Sequence, residues 1–205
     1  MTTKRPRFIN HVEMIFQPGE RDAARAFFET LGFGVSDFGP WLVVAVDPDT
    51  GNGIDNVMYA SEPVPAQQRF EDALAKAIAN DAEATAALEH HRNVRVEHPQ
   101  YNFHFGASMA SFEDWEQQTA HVKETVASHP LLKGRVDVSV FNPGDPGAVG
   151  AVHQTFVLTD VLATGTLQTG VIFELQWRPN APAPGQMDLA KMASTATYPD
   201  PASII

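Results

Sequence analysis

The chain has 205 residues, which is long enough to bury a substantial core and suggests one domain or two small halves. Its formal net charge of −11, from 14 Lys and Arg against 25 Asp and Glu, disfavours nucleic acid or an anionic membrane as a partner. The lack of cysteine excludes disulfides, a thiolate nucleophile and sulfur-ligated zinc or iron–sulfur clusters, so any metal must have nitrogen and oxygen ligands.

The first half of the chain predicts one strand, one helix and three further strands. The strand spans 7–16, and apolar residues at helical spacing up to Leu31 predict the helix, which Gly32 is expected to end. Turn sequences rich in Gly, Pro and Asp separate the later strands. Those strands are predicted at 34–38, 41–46 and 56–60.

The second half repeats this order. A strand is predicted at 102–109, and Ser111 is the expected N-cap of the helix that follows it. Three strands come next, near 135–141, 151–159 and 169–177. The repeated unit is therefore βαβββ, and the predicted fold class is α+β.

Between the halves, residues 67–91 are rich in Ala, Glu and Lys and predict one inserted helix. It is either a packing or dimerisation element or a lid over a site. The predicted organisation is a first module at 7–61, an inserted helical segment at 62–100 and a second module at 101–178. An irregular, partly mobile tail is expected at 179–205, where proline is frequent.

Two histidines occupy matching places in the two halves. His11 and His104 each lie in a short apolar strand just ahead of an amphipathic helix. A strand side chain is aimed at one face, so pseudo-symmetric strands brought side by side converge their imidazoles. Glu174 lies within an otherwise apolar strand, where an unpaired charge is costly and a bound cation removes that cost. We therefore expect a metal site, the alternative for each histidine being a hydrogen-bonded structural role.

The paired βαβββ order, with Ile9-Asn-His11-Val-Glu13 followed by Phe-Phe-Glu-Thr-Leu-Gly-Phe at 27–33, resembles the vicinal oxygen chelate superfamily. This superfamily includes glyoxalase I, extradiol dioxygenases, and fosfomycin- and bleomycin-resistance proteins. The resemblance covers roughly 7–178 apart from the inserted helix. It implies that each module forms a half-barrel of curved mixed sheet and that the first and last strands supply the metal ligands. Those positions are His11, His104 and Glu174.

The chain departs from glyoxalase at the last strand of the first module. Glyoxalase-like members carry a fourth ligand there, commonly glutamate, and the corresponding position in this chain falls near Met58. A thioether is a poor ligand for hard divalent metals, so the predicted set is two histidines and one carboxylate. Such a set leaves positions open for substrate and dioxygen. The expected cofactor is a divalent metal, with Fe(II) favoured and Mn, Zn or Ni as alternatives.

Three further residues are candidates for catalysis. His153 is a candidate acid or base, because its pKa class suits proton transfer near neutral pH. Glu13 shares a strand face with His11 and is expected to orient a ligand, to move a proton or to form a structural ion pair. Tyr59 is expected either to donate a hydrogen bond to substrate or to pack as an aromatic residue.

The leading functional hypothesis is a non-haem Fe(II) dioxygenase of extradiol type that acts on a small aromatic or vicinal-oxygen substrate. The first alternative keeps the metal in an isomerase, lyase or thiol transferase that uses Mn, Zn or Ni. The second alternative is a metal-free binding protein of the resistance type. The three ligand-type residues argue against that binding protein.

The expected partner is a small molecule, with a homodimer through the inserted helix as a further expectation. No stretch approaches the roughly 18 unbroken apolar residues of a membrane span. The polar start at 1–7 also lacks a signal-peptide core. We therefore expect a cytoplasmic protein that contacts neither nucleic acid nor membrane.

Overall fold

The computed structural model describes residues 11–49, 56–148 and 150–179. This part of the chain forms nine strands and four α-helices in an α+β arrangement. The start of the predicted first strand, at 7–10, and the predicted tail beyond 179 lie outside the described residues. The strands are β1 (His11–Phe16), β2 (Gly34–Asp37), β3 (Trp41–Ala45), β4 (Val57–Ser61), β5 (Phe105–Ser108), β6 (Val136–Phe141), β7 (His153–Thr159), β8 (Leu162–Ala163) and β9 (Val171–Trp177); the helices are α1 (Arg21–Thr30), α2 (Pro65–Ala79), α3 (Ala82–Glu97) and α4 (Phe112–Ser128).

The strands form two mixed sheets that do not close into a barrel. One sheet has the order β2-β3-β4-β1-β8, and the other has the order β5-β9-β7-β6. Within each half, the first strand pairs in parallel with the last one, β1 with β4 and β5 with β9. The remaining pairs within each half are antiparallel. The predicted α+β fold with two βαβββ units is therefore confirmed.

One short strand joins the two halves. After β7 the chain leaves the four-stranded sheet, and β8 pairs antiparallel with β1 of the other sheet. The chain then returns to form β9, which lies beside β7. Gly170, at the start of β9, has φ of +61°, and a Cβ there would lie 2.1 Å from the Thr159 carbonyl oxygen. Only glycine allows this approach of backbone to backbone.

A single hydrophobic core connects both halves. In β1 the alternation of side chains buries Met14 and Phe16, while His11 on the other face is exposed. Phe27 and Phe28 of α1 are fully buried and contact Phe173 of β9, with ring centroids 5.6 and 6.0 Å away. The helix of the first module therefore packs on a strand of the second.

The inserted segment forms two helices where one was expected. The break lies at Asp81, whose side chain accepts hydrogen bonds from the backbone N–H groups of Glu83 and Ala84 and so caps α3. Both helices pack on the second module. Glu71 of α2 accepts hydrogen bonds from Thr166 and Leu167, and the carbonyl of Val96 in α3 accepts one from Ser139. Among the described residues, no helix has the length and apolar character needed to cross a bilayer.

Candidate functional site

A large cavity of about 1110 Å³ lies between the two modules. The first module contributes the end of α1 and parts of β1 and β4, and the second contributes the whole of β5 and one side of α4. Volumes of this order are typical of small-molecule sites. The wall combines apolar side chains with three imidazoles. Residues lining it include Val12, Met58, Phe173, His11, His104 and His121.

His104 is held in one orientation by the backbone that precedes it. A short 3₁₀ turn at Pro99–Tyr101 leads into Asn102, whose backbone N–H donates to the Pro99 carbonyl. The carbonyl of Asn102 lies 2.7 Å from His104 Nδ1. A carbonyl only accepts hydrogen bonds, so Nδ1 must carry the proton. In the neutral imidazole this leaves the lone pair on Nε2.

Glu174 is a buried carboxylate with partners on two strands. Its side chain is 6 % exposed, and its Oε2 lies 3.3 Å from His104 Nε2. Its other oxygen, Oε1, accepts a 2.7 Å hydrogen bond from the side-chain amide of Gln154. The ring of Phe156, opposite Glu174 on β7, contacts the His104 ring edge-on. The carboxylate is therefore fixed within the four-stranded sheet.

The facing atoms of His104 and Glu174 both carry lone pairs when the imidazole is neutral. A proton or a cation must lie between them to make the contact favourable. The hydrogen bond to Glu174 raises the pKa of His104 above its ordinary value of 6.5, which favours a proton in this position. Burial opposes this shift in pKa, and the hydrogen bond with the Asn102 carbonyl adds to it.

The same pair fits two ligands of a divalent cation. Nitrogen and oxygen ligands bind such ions at roughly 2.0–2.2 Å, so adjacent ligands at right angles are about 3 Å apart. The observed separation of 3.3 Å between Nε2 and Oε2 is close to that value. An imidazole whose other nitrogen donates to a carbonyl is also the usual arrangement of a metal-binding histidine.

His11 lies on the wall of the same cavity but is not part of a three-residue cluster with this pair. In residues 11–49, 56–148 and 150–179, no group of three histidine, aspartate or glutamate side chains is arranged to hold a metal ion. The His11 ring contacts the ring of Tyr59 edge-on, with centroids 5.7 Å apart. The structure therefore brings two of the three predicted ligands together.

The strand register changes which residue of the first module corresponds to Glu174. Gly106, two residues after His104, pairs with Glu174, whereas Glu13, two residues after His11, pairs with Tyr59. Tyr59 and not Met58 is thus the counterpart of Glu174. Met58 is buried in the core. Glu13 is exposed on the face of β1 that carries His11, and neither Glu13 nor Tyr59 lines the cavity.

His153 lies away from the His104–Glu174 pair. His153 pairs with Trp177 in the sheet and directly precedes Gln154 on β7. Because side chains alternate along a strand, His153 lies on the face of the sheet opposite to Gln154 and Glu174. Rings of Phe112, Trp115 and Trp177 surround it, with centroids 4.9 to 5.5 Å away. Its Nδ1 lies 3.0 Å from the side-chain oxygen of Asn142. These contacts describe an aromatic packing position.

Sequence reasoning missed two residues that shape the pair. Gln154 orients Glu174, and the alternation of side chains along β7 was the signal that could have placed it on the Glu174 face. Gly106 lines the cavity, and a Cβ there would lie 3.3 Å from Glu174 Oε2 and 3.1 Å from Gln176 Nε2. Glycine at this position thus leaves room for both side chains beside β5.

Comparisons with known proteins assign no family. No family model matches the chain, and no curated protein matches it either. The chain is similar to a solved structure entitled "Oxidase ChaP-H2", with a TM-score of 0.38 and 13% sequence identity. That match covers 87% of this chain and 96% of the other. What the chain can do therefore has to be argued from its own residues.

Proposed function

We propose that the protein is a metal-dependent enzyme of the vicinal oxygen chelate type, a non-haem Fe(II) dioxygenase with His11, His104 and Glu174 as metal ligands. The observation that supports this most is the 3.3 Å approach of His104 Nε2 to Glu174 Oε2, with Nδ1 committed to the Asn102 carbonyl. When bound, Fe(II) would hold two adjacent substrate oxygens beside dioxygen and conduct electrons from the substrate, which is oxidised, to the dioxygen, which is reduced.

The chain's own residues have separable roles in this proposal. Asn102 fixes the imidazole tautomer, and Gln154 holds the carboxylate by its Oε1. His11 is the proposed third donor, and it has to move from the cavity wall of the first module toward the His104–Glu174 pair for all three to bind one ion. Apolar side chains of the cavity, such as Met58 and Phe173, exclude water and pack against an aromatic or other small substrate.

A second candidate function is an isomerase or lyase in which His104 itself moves the proton. The raised pKa of His104 favours it, because the imidazole then carries an Nε2 proton that can be transferred once the ring turns from Glu174 toward a substrate in the cavity. The gathering of only two of the three expected ligands also favours it. In this hypothesis Glu174 is a positioning residue, and no metal is required.

The test combines metal binding with oxygen uptake. Protein loaded anaerobically with Fe(II) is assayed for stoichiometry and then, with a panel of small catechols, in an oxygen electrode. We expect near-stoichiometric iron and oxygen uptake, and Glu174→Gln and His104→Ala are each expected to weaken iron binding about tenfold or more. Glu116→Gln, an exposed carboxylate change on α4, serves as the matched control.

Each other result has a defined meaning. Full iron occupancy in Glu174→Gln with native circular dichroism would show that Glu174 is not a ligand. Iron binding that is unchanged in His11→Ala would remove His11 from the set. Wild-type protein that binds no divalent metal but isomerises a carbonyl substrate, with loss of activity in His104→Ala, would establish the second candidate and overturn the first.

A further inference from the structure

Arg95 is a buried arginine in the last turns of α3. Only 5 % of its surface is exposed, which is rare for an unpaired charged side chain. The ion pairs among the described residues involve Arg21, Arg25, Arg135 and His104, and none involves Arg95. The Arg95 guanidinium carries five N–H groups, and none of them donates a hydrogen bond to another described residue.

The surroundings of Arg95 disfavour its charge. Burial lowers the pKa of Arg95 below its ordinary value, and the positive charge of Arg92 lowers it further. No carboxylate contributes a compensating rise. An arginine nevertheless stays protonated in proteins, so the charge remains, with no ion-pair or hydrogen-bond partner among the described residues. The body of the side chain is buried while the guanidinium nitrogens keep contact with solvent in the cavity, so an anion that enters the cavity can pair with them.

Arg95 lines a second cavity of about 160 Å³. This cavity lies between α3 and the strands β6 and β7, and it shares no lining residue with the large cavity. Arg92 also lines it and donates one hydrogen bond to the Gln168 carbonyl. The volume is below that of most drug-sized sites, which suits a group of a few atoms.

The charges around the cavity set the charge of the ligand. Its ionisable lining residues are three arginines and two aspartates. Arg135 is already paired, with Asp160 at 2.8 Å and with Glu20 through two hydrogen bonds of 2.9 Å. With Glu20 counted, three arginines and three carboxylates surround the cavity, and two of those carboxylates are taken up by Arg135. A ligand with a single negative charge pairs with Arg95 under the least repulsion from Asp137, whereas a dianion would be repelled more strongly by that carboxylate.

We propose that this cavity is a binding site for a monovalent oxyanion, the carboxylate of a small molecule, which pairs with the guanidinium of Arg95 and is flanked by Arg92. A planar guanidinium matches a carboxylate through two parallel N–H···O bonds. The site is independent of the proposed metal centre, because no residue is common to the two cavities.

The test uses sodium formate as the probe at constant ionic strength, with chloride as the balancing anion. Binding is followed by the ¹⁵N-detected Nε–H resonance of Arg95. We expect a saturable shift in the wild-type protein and in the control Arg69→Gln, which removes an exposed arginine of α2. In Arg95→Gln, formate affinity measured by calorimetry is expected to fall about tenfold or more. No saturable shift in the wild type, or equal affinity in Arg95→Gln, would overturn the proposal.

Two further measurements test the choice of a carboxylate as the ligand and the effect of Arg95 on stability. Inorganic phosphate at pH 8 is titrated in the same way, and phosphate that binds while formate does not would overturn the assignment to a carboxylate. Thermal unfolding of Arg95→Met in formate-free buffer is expected to give a Tm equal to or above that of the wild type. A Tm several degrees lower would show that Arg95 stabilises the fold without an anion and would contradict the proposal.

Discussion

At the scale of single residues, the pairing of His104 with Glu174 was predictable and the position of His11 was not. Strand alternation alone placed Glu174 on one face of β9, and the parallel partner β5 begins directly after His104. His11 belongs to the other sheet. Its distance from the pair depends on how α1 packs against Phe173, which no spacing along a strand encodes.

The protonation of His104 gives a residue-scale prediction. The pKa of His104, measured by NMR on metal-free protein, is expected to lie above 6.5 and to fall when Glu174 is changed to Gln. Because the folded-state pKa is raised, this hydrogen bond stabilises the protein below pH 6.5, and the contribution is lost as pH rises through the folded-state pKa. The Glu116→Gln control is expected to leave the pKa of His104 unchanged. An unchanged pKa in Glu174→Gln as well would show that Glu174 does not raise the pKa of His104.

At the scale of elements, most strands and helices were predictable because local patterns specify them. The predicted strand at 135–141 is observed as β6, which begins one residue later, and the strand at 169–177 is observed as β9, which begins two residues later. Both end where predicted. Gly32 lies just after the end of α1 and has a φ of +81°, as expected for a glycine that stops a helix. The division of the insertion was missed, since Asn80 and Asp81, which end α2 and cap α3, were read as part of one continuous Ala- and Glu-rich helix.

The attachment of α2 to the second module gives an element-scale prediction. Glu71 is 2 % exposed, and its Oε2 accepts from the Thr166 hydroxyl at 2.8 Å and from the Leu167 backbone N–H at 3.1 Å. Glu71→Ala leaves the buried Leu167 N–H and the half-buried Thr166 hydroxyl without this partner and is expected to cost about 2 kcal/mol of unfolding free energy. Urea unfolding measures it, with the exposed Glu89→Ala of α3 as control. Equal stability of the two variants would show that this contact is not needed.

At the scale of the whole molecule, the two modules share one hydrophobic core and are joined by polar contacts. Phe173 of the second module contacts three rings of the first, at Phe27, Phe28 and Phe33. Arg135 reaches across to Glu20, and the side chain of Gln118 donates to the Thr30 carbonyl. These contacts between modules were not predictable from the repeat, because the repeat describes each half separately.

Phe173→Ala therefore gives a prediction for the whole molecule. The side chain is 2 % exposed, and its loss is expected to cost about 3–5 kcal/mol, with both modules still unfolding in one transition. Trp fluorescence and far-UV circular dichroism in urea should then give coincident midpoints. Phe38→Ala, which removes a ring that is 65 % exposed, is the control with little expected change. Separate midpoints for the two signals would show independent modules.

The short strand β8 has a consequence for the order of folding during synthesis. The partners of β1 are β4 and β8, and β8 ends only at Ala163. One edge of β1 therefore stays without its native partner while the ribosome makes about a hundred further residues, including most of the second module. The N-terminal half emerges from the ribosome before β8 has been synthesised, so the pairing of β8 with β1 can form only after most of the C-terminal half has been made.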